Sequence, residues 1–158
     1  MSVSKVKEYF KRYNKDKEIL EFNESSATVA DAAKAIGCKE KDIAKSMSFE
    51  IEDKEIIIVC AGDAKIDNAK YKKEFLHKAK MIKCEDVEKK IGHAPGGVCP
   101  FAINDGIKVY LDESLKRMDV VYPACGSSNS AIKLTIKELE EYSNYTKWVD
   151  VTKLMWGE

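Results

Sequence analysis

The apolar positions of the chain change period several times along its length. Val6 and Phe10 stand four apart, which predicts a helix over about Val3 to Tyr13. Glu18 to Phe22 predicts a short strand. Thr28-Val-Ala-Asp31 resembles a capping box, and Gly37 supplies a stop, so a helix is expected between them. Ile43 to Ile51 alternates like a strand, Asp53-Lys54 turns, and Glu55 to Ala61 returns as a strongly apolar strand that Gly62-Asp63 breaks. Asp67 is placed to cap a helix reaching about His77. Lys80 to Cys84 predicts a strand, and Asp86 to Lys90 a short helix.

Gly92 to Pro100 is the densest turn region. Beyond it, Ile107 to Asp112 predicts a strand with Ile107, Val109 and Leu111 on one face. Val120 to Pro123 and Ala131 to Leu134 predict strands around the loop Ala124 to Ser130. Thr135-Ile-Lys-Glu138 is a full capping box for a helix to about Tyr142, and Trp148 to Val151 predicts a last strand. Helices and strands mix without regular βαβ alternation. The expected fold is an α/β single domain over residues 1–158, with a mixed, largely antiparallel sheet flanked by helices.

Composition narrows the function classes. The 158 residues carry 27 Lys+Arg and 27 Asp+Glu, so a protein that coats long stretches of nucleic acid is disfavoured, while contact with a few phosphates is not. No apolar run approaches the length of a membrane span. The Lys-rich N-terminus lacks an apolar signal core. Five widely spaced cysteines, with no C-x-x-C, read as free thiols of a reducing cytoplasm, with Cys99 and Cys125 as the minor candidates for a reactive thiol. His77 and His93 are not at metal-finger spacing, and no metal or other cofactor is expected.

Lys45 is the first chemical clue. On a strand it shares a face with Ile43, Met47, Phe49 and Ile51, where an ammonium needs a partner or an outlet. Either its stem packs and the charge escapes at a sheet edge, or it lines a pocket and meets a phosphate or carboxylate. Lys45-Ser46 does not end a phosphate-binding P-loop, because Lys39 and Ala44 stand where glycines are needed. The loop Gly92 to Pro100 is the second clue. Its adjacent glycines between two prolines either expose backbone amides to a ligand or only satisfy a crossover. The loop Ala124 to Ser130 is the third. It is no nucleophile elbow, since Ser130 replaces the closing glycine and a strand follows it, so a plain hairpin loop is the bland reading. His93 could serve as a base near neutral pH, but a loop histidine bonded to backbone is the simpler expectation.

In order along the chain, these segments resemble the YbaK/ProX family of aminoacyl-tRNA editing domains. The resemblance lies in Ile43-Ala-Lys-Ser-Met-Ser-Phe49, Ile58-Val-Cys-Ala-Gly-Asp63, Gly92-His-Ala-Pro-Gly-Gly-Val-Cys-Pro-Phe101, Val109-Tyr-Leu-Asp-Glu-Ser-Leu115 and Ala124-Cys-Gly-Ser127, and covers roughly Glu18 to Val151. It implies a free-standing hydrolase that clears tRNA, of the proline type, mischarged with a small amino acid such as alanine or cysteine. Water attacks the ester with help from a ribose hydroxyl of the substrate. The resemblance assigns Lys45 to the terminal nucleotide, and Gly96 and Gly97 to catalysis through the loop amides. It assigns Phe22, Gly62, Asp63, Cys99, Pro100, Gly126 and Ser127 to substrate binding. Phe22-Asn23-Glu24 departs from members that carry a Tyr or His at the matching place. The implied partners are the acceptor end of an aminoacyl-tRNA and a prolyl-tRNA synthetase, and neither DNA nor membrane. The alternative class is a module that binds a tRNA end, a nucleotide or a synthetase without turnover.

Overall fold

The structure, a computed structural model, describes residues 2–23 and 28–155; Glu24 of the Phe22-Asn23-Glu24 segment lies outside them. Its centre is the hairpin of β2 (Ile43–Ile51) and β3 (Lys54–Ala61). The register runs from Ala44↔Ala61 to Ile51↔Lys54. The two residues between the strands, Glu52 and Asp53, have φ of 48° and 67°. Two successive left-handed residues make the tight turn whose twist matches a hairpin. The turn is therefore centred one residue earlier than the sequence suggests.

Around this hairpin, β5 (Lys108–Asp112), β6 (Val120–Pro123), β8 (Leu134–Thr135) and β9 (Lys147–Val149) complete a six-stranded sheet in the order β8-β6-β2-β3-β5-β9. The sheet is mixed: β2–β3 and β6–β8 are antiparallel, whereas β2–β6, β3–β5 and β5–β9 are parallel. Two small antiparallel pairs stand outside it. One joins β1 (Leu20–Glu21) to β7 (Ser130–Ala131), and the other joins β4 (Ala64–Ile66) to β10 (Thr152–Leu154).

Local signals set the helices. In α2 (Val29–Ile36), Thr28 Oγ1 accepts from the Asp31 N–H at 3.1 Å, and Gly37 closes the helix at φ 85°. In α3 (Asn68–Phe75), Asp67 accepts from the N–H groups of Ala69 and Lys70. In α5 (Ile136–Ser143), Thr135 and Glu138 exchange both bonds of a capping box. The remaining helices are α1 (Ser2–Lys11) and α4 (Cys84–Ile91).

Alternation on the hairpin divides the core. Ala44, Ile57, Val59 and Ala61 face α1, α4 and α5, whose Phe10, Ile91 and Leu139 fill that side. Phe49, Ile56 and Ile58 face α3, where Tyr71 and Phe75 pack, with Met47 and Ile51 beside them. The shared face expected for Met47, Phe49 and Ile51 is the observed one.

Two expected strands differ. Lys80 to Cys84 makes a single bridge, Met81 to Phe49, because α4 already starts at Cys84. Ala131 to Leu134 divides, because the chain changes partner: Ser130–Ala131 pairs with β1, and Leu134–Thr135 with β6. Among the described residues, no helix is long and apolar enough to cross a membrane.

Candidate functional site

Strand β2 holds its second neighbour only in part. It pairs with β6 at Ile43↔Tyr122 and Ala44↔Pro123, and is next joined on that side at Phe49↔Met81. The edge between is open, and a cleft of about 410 Å³ lies against it. Helix α2 forms one wall through Val29, Ala32 and Ile36; Met81, Ile82 and Val87 form another. The loops around Gly96 and Ser127 supply the rest.

Lys45 lines this cleft. It stands opposite Cys60 in the ladder, and among the described residues no ion pair or hydrogen bond engages its ammonium. Burial pushes the Cys60 thiol up to about 12, against the opposing pull of the Lys45 charge. Lys45 is half-buried, so its stem packs while its charge has an outlet into the cleft.

The glycine loop is a tight turn. The Gly97 N–H donates to the Ala94 carbonyl at 2.9 Å, with Pro95 and Gly96 between them. Proline followed by a glycine at φ 89° is the arrangement of a type II turn. The two glycines then do different things. Gly96 is exposed and lines the cleft. Gly97 is buried against the other loop: a Cβ there would stand 2.6 Å from the backbone of Gly126 and Ser127.

After Gly97 the loop alternates in direction. Val98 lines the cleft, Cys99 is fully buried, and Pro100 lines a separate groove against α1. The Cys99 sulfur lies 3.5 Å from His93 Nε2, and burial pushes its thiol up to about 12. His93 is itself buried and its Nε2–H donates to the Phe101 carbonyl at 2.7 Å. Burial holds this imidazole below its ordinary range, so it stays neutral and ties the loop down. Cys125 is buried as well, whereas Cys84 is exposed and lines the cleft. The accessible cleft thiol is therefore Cys84, and neither Cys99 nor Cys125, because both point into the core.

Ser127 lines the cleft, with its Oγ 2.8 Å from Asn129 Oδ1 and from Ser130 Oγ. Gly126, at φ 95°, is buried behind it. Phe22 is tied to the same loop through backbone: its N–H donates to the Asn129 carbonyl at 2.8 Å, and Asn129 Nδ2 donates to its carbonyl at 2.9 Å. Gly62 packs beneath α2, where a Cβ would come 2.1 Å from the Glu40 carbonyl and 2.7 Å from Val29 Cγ1. Asp63 is held by both terminal nitrogens of Arg117, at 2.5 and 3.1 Å.

Lys45, Gly96 and Ser127 thus meet around one cleft. Among the described lining residues, Phe22, Gly62, Asp63, Gly97, Cys99, Pro100 and Gly126 do not appear; they support the walls or lie elsewhere. Met47, Val98, Tyr122 and the Val29, Ala32 and Ile36 face of α2 line the cleft without having been singled out in the sequence. Their apolar character reads there as core, and only the tertiary position separates the two roles. Among the described residues, no three His, Cys, Asp or Glu side chains gather as a metal site.

Comparison with known proteins places the chain in a family. The sequence profile described as "Aminoacyl-tRNA editing domain" matches residues 23–142. The chain is 51% identical over 154 residues to the uncharacterized protein YwhH of Bacillus subtilis, covering 97% of this chain and 98% of that one. It is 27% identical over 114 residues to a proline–tRNA ligase of Leptospira interrogans, covering 67% of this chain but 18% of the ligase. A crystal structure described as a candidate trans-editing enzyme for prolyl tRNA synthetase superposes with a TM-score of 0.86 at 25% identity, covering 96% and 97% of the two chains. The chain belongs to the aminoacyl-tRNA editing domain family.

Proposed function

We propose that this protein is a deacylase acting in trans, which hydrolyses the ester between a small amino acid, alanine or cysteine, and the 3′ end of proline tRNA. The observation that carries the reading is the meeting of Lys45, Gly96 and Ser127 around one cleft at the open edge of β2. The relatives described as proline–tRNA ligase and as a trans-editing candidate support proline tRNA as the carrier and a prolyl-tRNA synthetase as the partner. The compartment that goes with this reading is the cytoplasm.

In this mechanism Lys45 holds a phosphate of the terminal nucleotide. Its ammonium has no competing partner among the described residues, so little must be broken for it to bind an anion. The Pro95-Gly96 turn offers the Gly96 N–H to the ester carbonyl, since proline has none and the Gly97 N–H closes the turn, and the absence of a Cβ at Gly96 leaves room for the acyl group. Water adds to the carbonyl carbon while a ribose hydroxyl of the substrate orients it. The C–O bond to the ribose breaks, the ribose oxygen takes a proton, and the free amino acid leaves. Positioning carries the rate, because an aminoacyl ester is already activated.

Apolar walls of Val29, Met47 and Val98 would set the size limit. Each methylene gives only about 10–200-fold discrimination, so selection falls on size rather than on fine chemistry. Single-turnover hydrolysis of a panel of mischarged tRNAs tests the reading. Alanyl or cysteinyl proline tRNA should be cleaved well above the buffer rate. Release at the buffer rate across the whole panel would overturn it and leave a binding module.

A further inference from the structure

Each residue of a strand offers one N–H and one C=O, and successive residues direct these to opposite edges. On β2 the even-numbered residues face away from β3: the Glu50 N–H donates to the Lys80 carbonyl at 2.9 Å, and the Ile82 N–H donates to the Ser48 carbonyl at 3.1 Å. At the near end, Ala44 is paired with Pro123. Ser46 stands between these two attachments, with its N–H and C=O directed to the same edge. Among the described residues, no backbone group reaches them there. Ser46 lines the cleft between Lys45 and Met47.

We propose that this one-residue gap is the seat of the substrate's amino acid, which docks on the Ser46 main chain as a single added β residue. The inference rests on the deacylase reading above. An aminoacyl ester carries an ammonium donor and a carbonyl acceptor on either side of one α-carbon. A backbone residue carries its N–H and C=O in the same way, so the two form the reciprocal pair of an antiparallel ladder. The ammonium donates to the Ser46 carbonyl, and the Ser46 N–H donates to the ester carbonyl. That N–H then joins the Gly96 N–H in holding the oxyanion as water adds.

The contact belongs to the main chain, because the Ser46 hydroxyl is buried and its side chain leaves the strand at right angles to the N–H and C=O. It reads the aminoacyl group as a class, whatever the side chain. The apolar walls are then left to judge size, and the two tasks fall to different parts of the cleft.

Amide hydrogen exchange followed by NMR tests the pairing directly, with the non-hydrolysable probe 3′-alanylamido-3′-deoxyadenosine. In the free protein the Ser46 amide should exchange fast, while those of Lys45 and Met47, turned toward β3, are protected. The probe should raise Ser46 protection by at least about tenfold. Probe-induced shifts at Gly96 with unchanged exchange at Ser46 would overturn the notch and spare the cleft; no shift anywhere would overturn both.

A kinetic arm separates the two readings further. Propionyl-tRNA keeps the ester and loses the amine, so its enhancement over the buffer rate should fall at least about tenfold below that of alanyl-tRNA. Equal enhancement of the two esters would remove the ammonium contact while leaving the deacylase intact. Ser46→Pro deletes the donor on an edge that makes no ladder bond, a place where proline is tolerated. It should keep its far-ultraviolet spectrum and lose at least about tenfold in alanyl-tRNA turnover. A folded Ser46→Pro protein with full turnover would show that the N–H is not used.

Discussion

Two concavities among the described residues differ in character, and the larger is the less suited to chemistry. The groove between α1 and residues 100–107 encloses about 960 Å³, against about 410 Å³ for the cleft at β2. It also carries more charge, with Lys5, Lys11 and Arg12 along one side. Those charges are already engaged. Lys5 Nζ donates to the Gly92 carbonyl at 3.0 Å, Lys11 pairs with Glu8 at 3.2 Å, and the Arg12 guanidinium lies 4.6 Å from the centre of the Tyr9 ring. In the cleft, Lys45 has no such partner among the described residues, and one residue of strand edge has no ladder bond. Volume marks where a ligand would fit; unsatisfied groups mark where one would be held.

The sharpest way to break this contrast is at the wall where the two cleft loops touch. Gly97→Ala places a Cβ 2.6 Å from backbone atoms of Gly126 and Ser127, and backbone is costly to move. Forced overpacking of this kind costs about 1–3 kcal/mol. The urea midpoint should fall accordingly, and turnover should be lost as the loops part. A Gly97→Ala protein with native stability would mean that the loops do not bear on each other.

Lys45→Ala comes next. Turnover of the best substrate should drop by at least about tenfold, or roughly 1.4 kcal/mol of transition-state binding. Stability should hardly change, since no ion pair or hydrogen bond of Lys45 is broken among the described residues. Wild-type single-turnover rates in this variant would move the substrate away from the cleft.

Gly96→Ala should have a smaller effect of mixed origin. At φ 89° an L side chain is strained, at about 1–2 kcal/mol. The cleft also loses the space of a methyl group. Gly96→Asn separates the two contributions, because asparagine tolerates the left-handed region better. It should recover part of the lost stability and remain several-fold slower than wild type. If turnover recovers with stability, Gly96 serves the turn alone.

These effects also show which parts of the site are legible in a sequence. Thr28, Asp67 and the Thr135–Glu138 pair act on their own helix termini, so their signals lie within a few residues and the helices follow. The alternation from Ile43 to Ile51 likewise gives the two faces of β2. Lys45 and Gly96 stand out because lysine on an apolar face and glycines in a stiff loop are locally odd, whereas Ser127 enters only through the family resemblance. What is missing is non-local. The end of the β2–β6 pairing at Ala44↔Pro123 opens the cleft, and no residue near Ser46 announces it. The alternation of Val98, Cys99 and Pro100 into cleft, core and outer groove depends on where His93 anchors the loop. Sequence spacing groups these residues, and the fold separates them.

The same anchor predicts a pH dependence. Burial lowers the native His93 pKa beneath its unfolded value, so the unfolded chain binds the proton more readily. The stability due to this imidazole is fully present above the ordinary histidine range. It is lost as pH falls through that range toward the native value. Asp67 and Glu138 are also held below their ordinary values, but as carboxylates they act in a more acidic window. Urea midpoints taken from pH 7 downward should therefore begin to fall near pH 6.5. That first step should vanish in His93→Asn. A first step that persists in the variant would assign it to another group.

The smallest effect is expected in the larger cavity. Arg12 is exposed, and its guanidinium over Tyr9 contributes about 0.5–1 kcal/mol at such a site. Arg12→Ala should lower the urea midpoint slightly and leave single-turnover deacylation within about twofold, a change of roughly 0.4 kcal/mol. The arginine is the better phosphate binder by type, since its planar fork grips two oxygens at once. It loses here because its face is already stacked, while Lys45 stands at an open strand edge beside the glycine turn. A loss of turnover in Arg12→Ala equal to that in Lys45→Ala would reverse the comparison and place the tRNA end in the groove against α1.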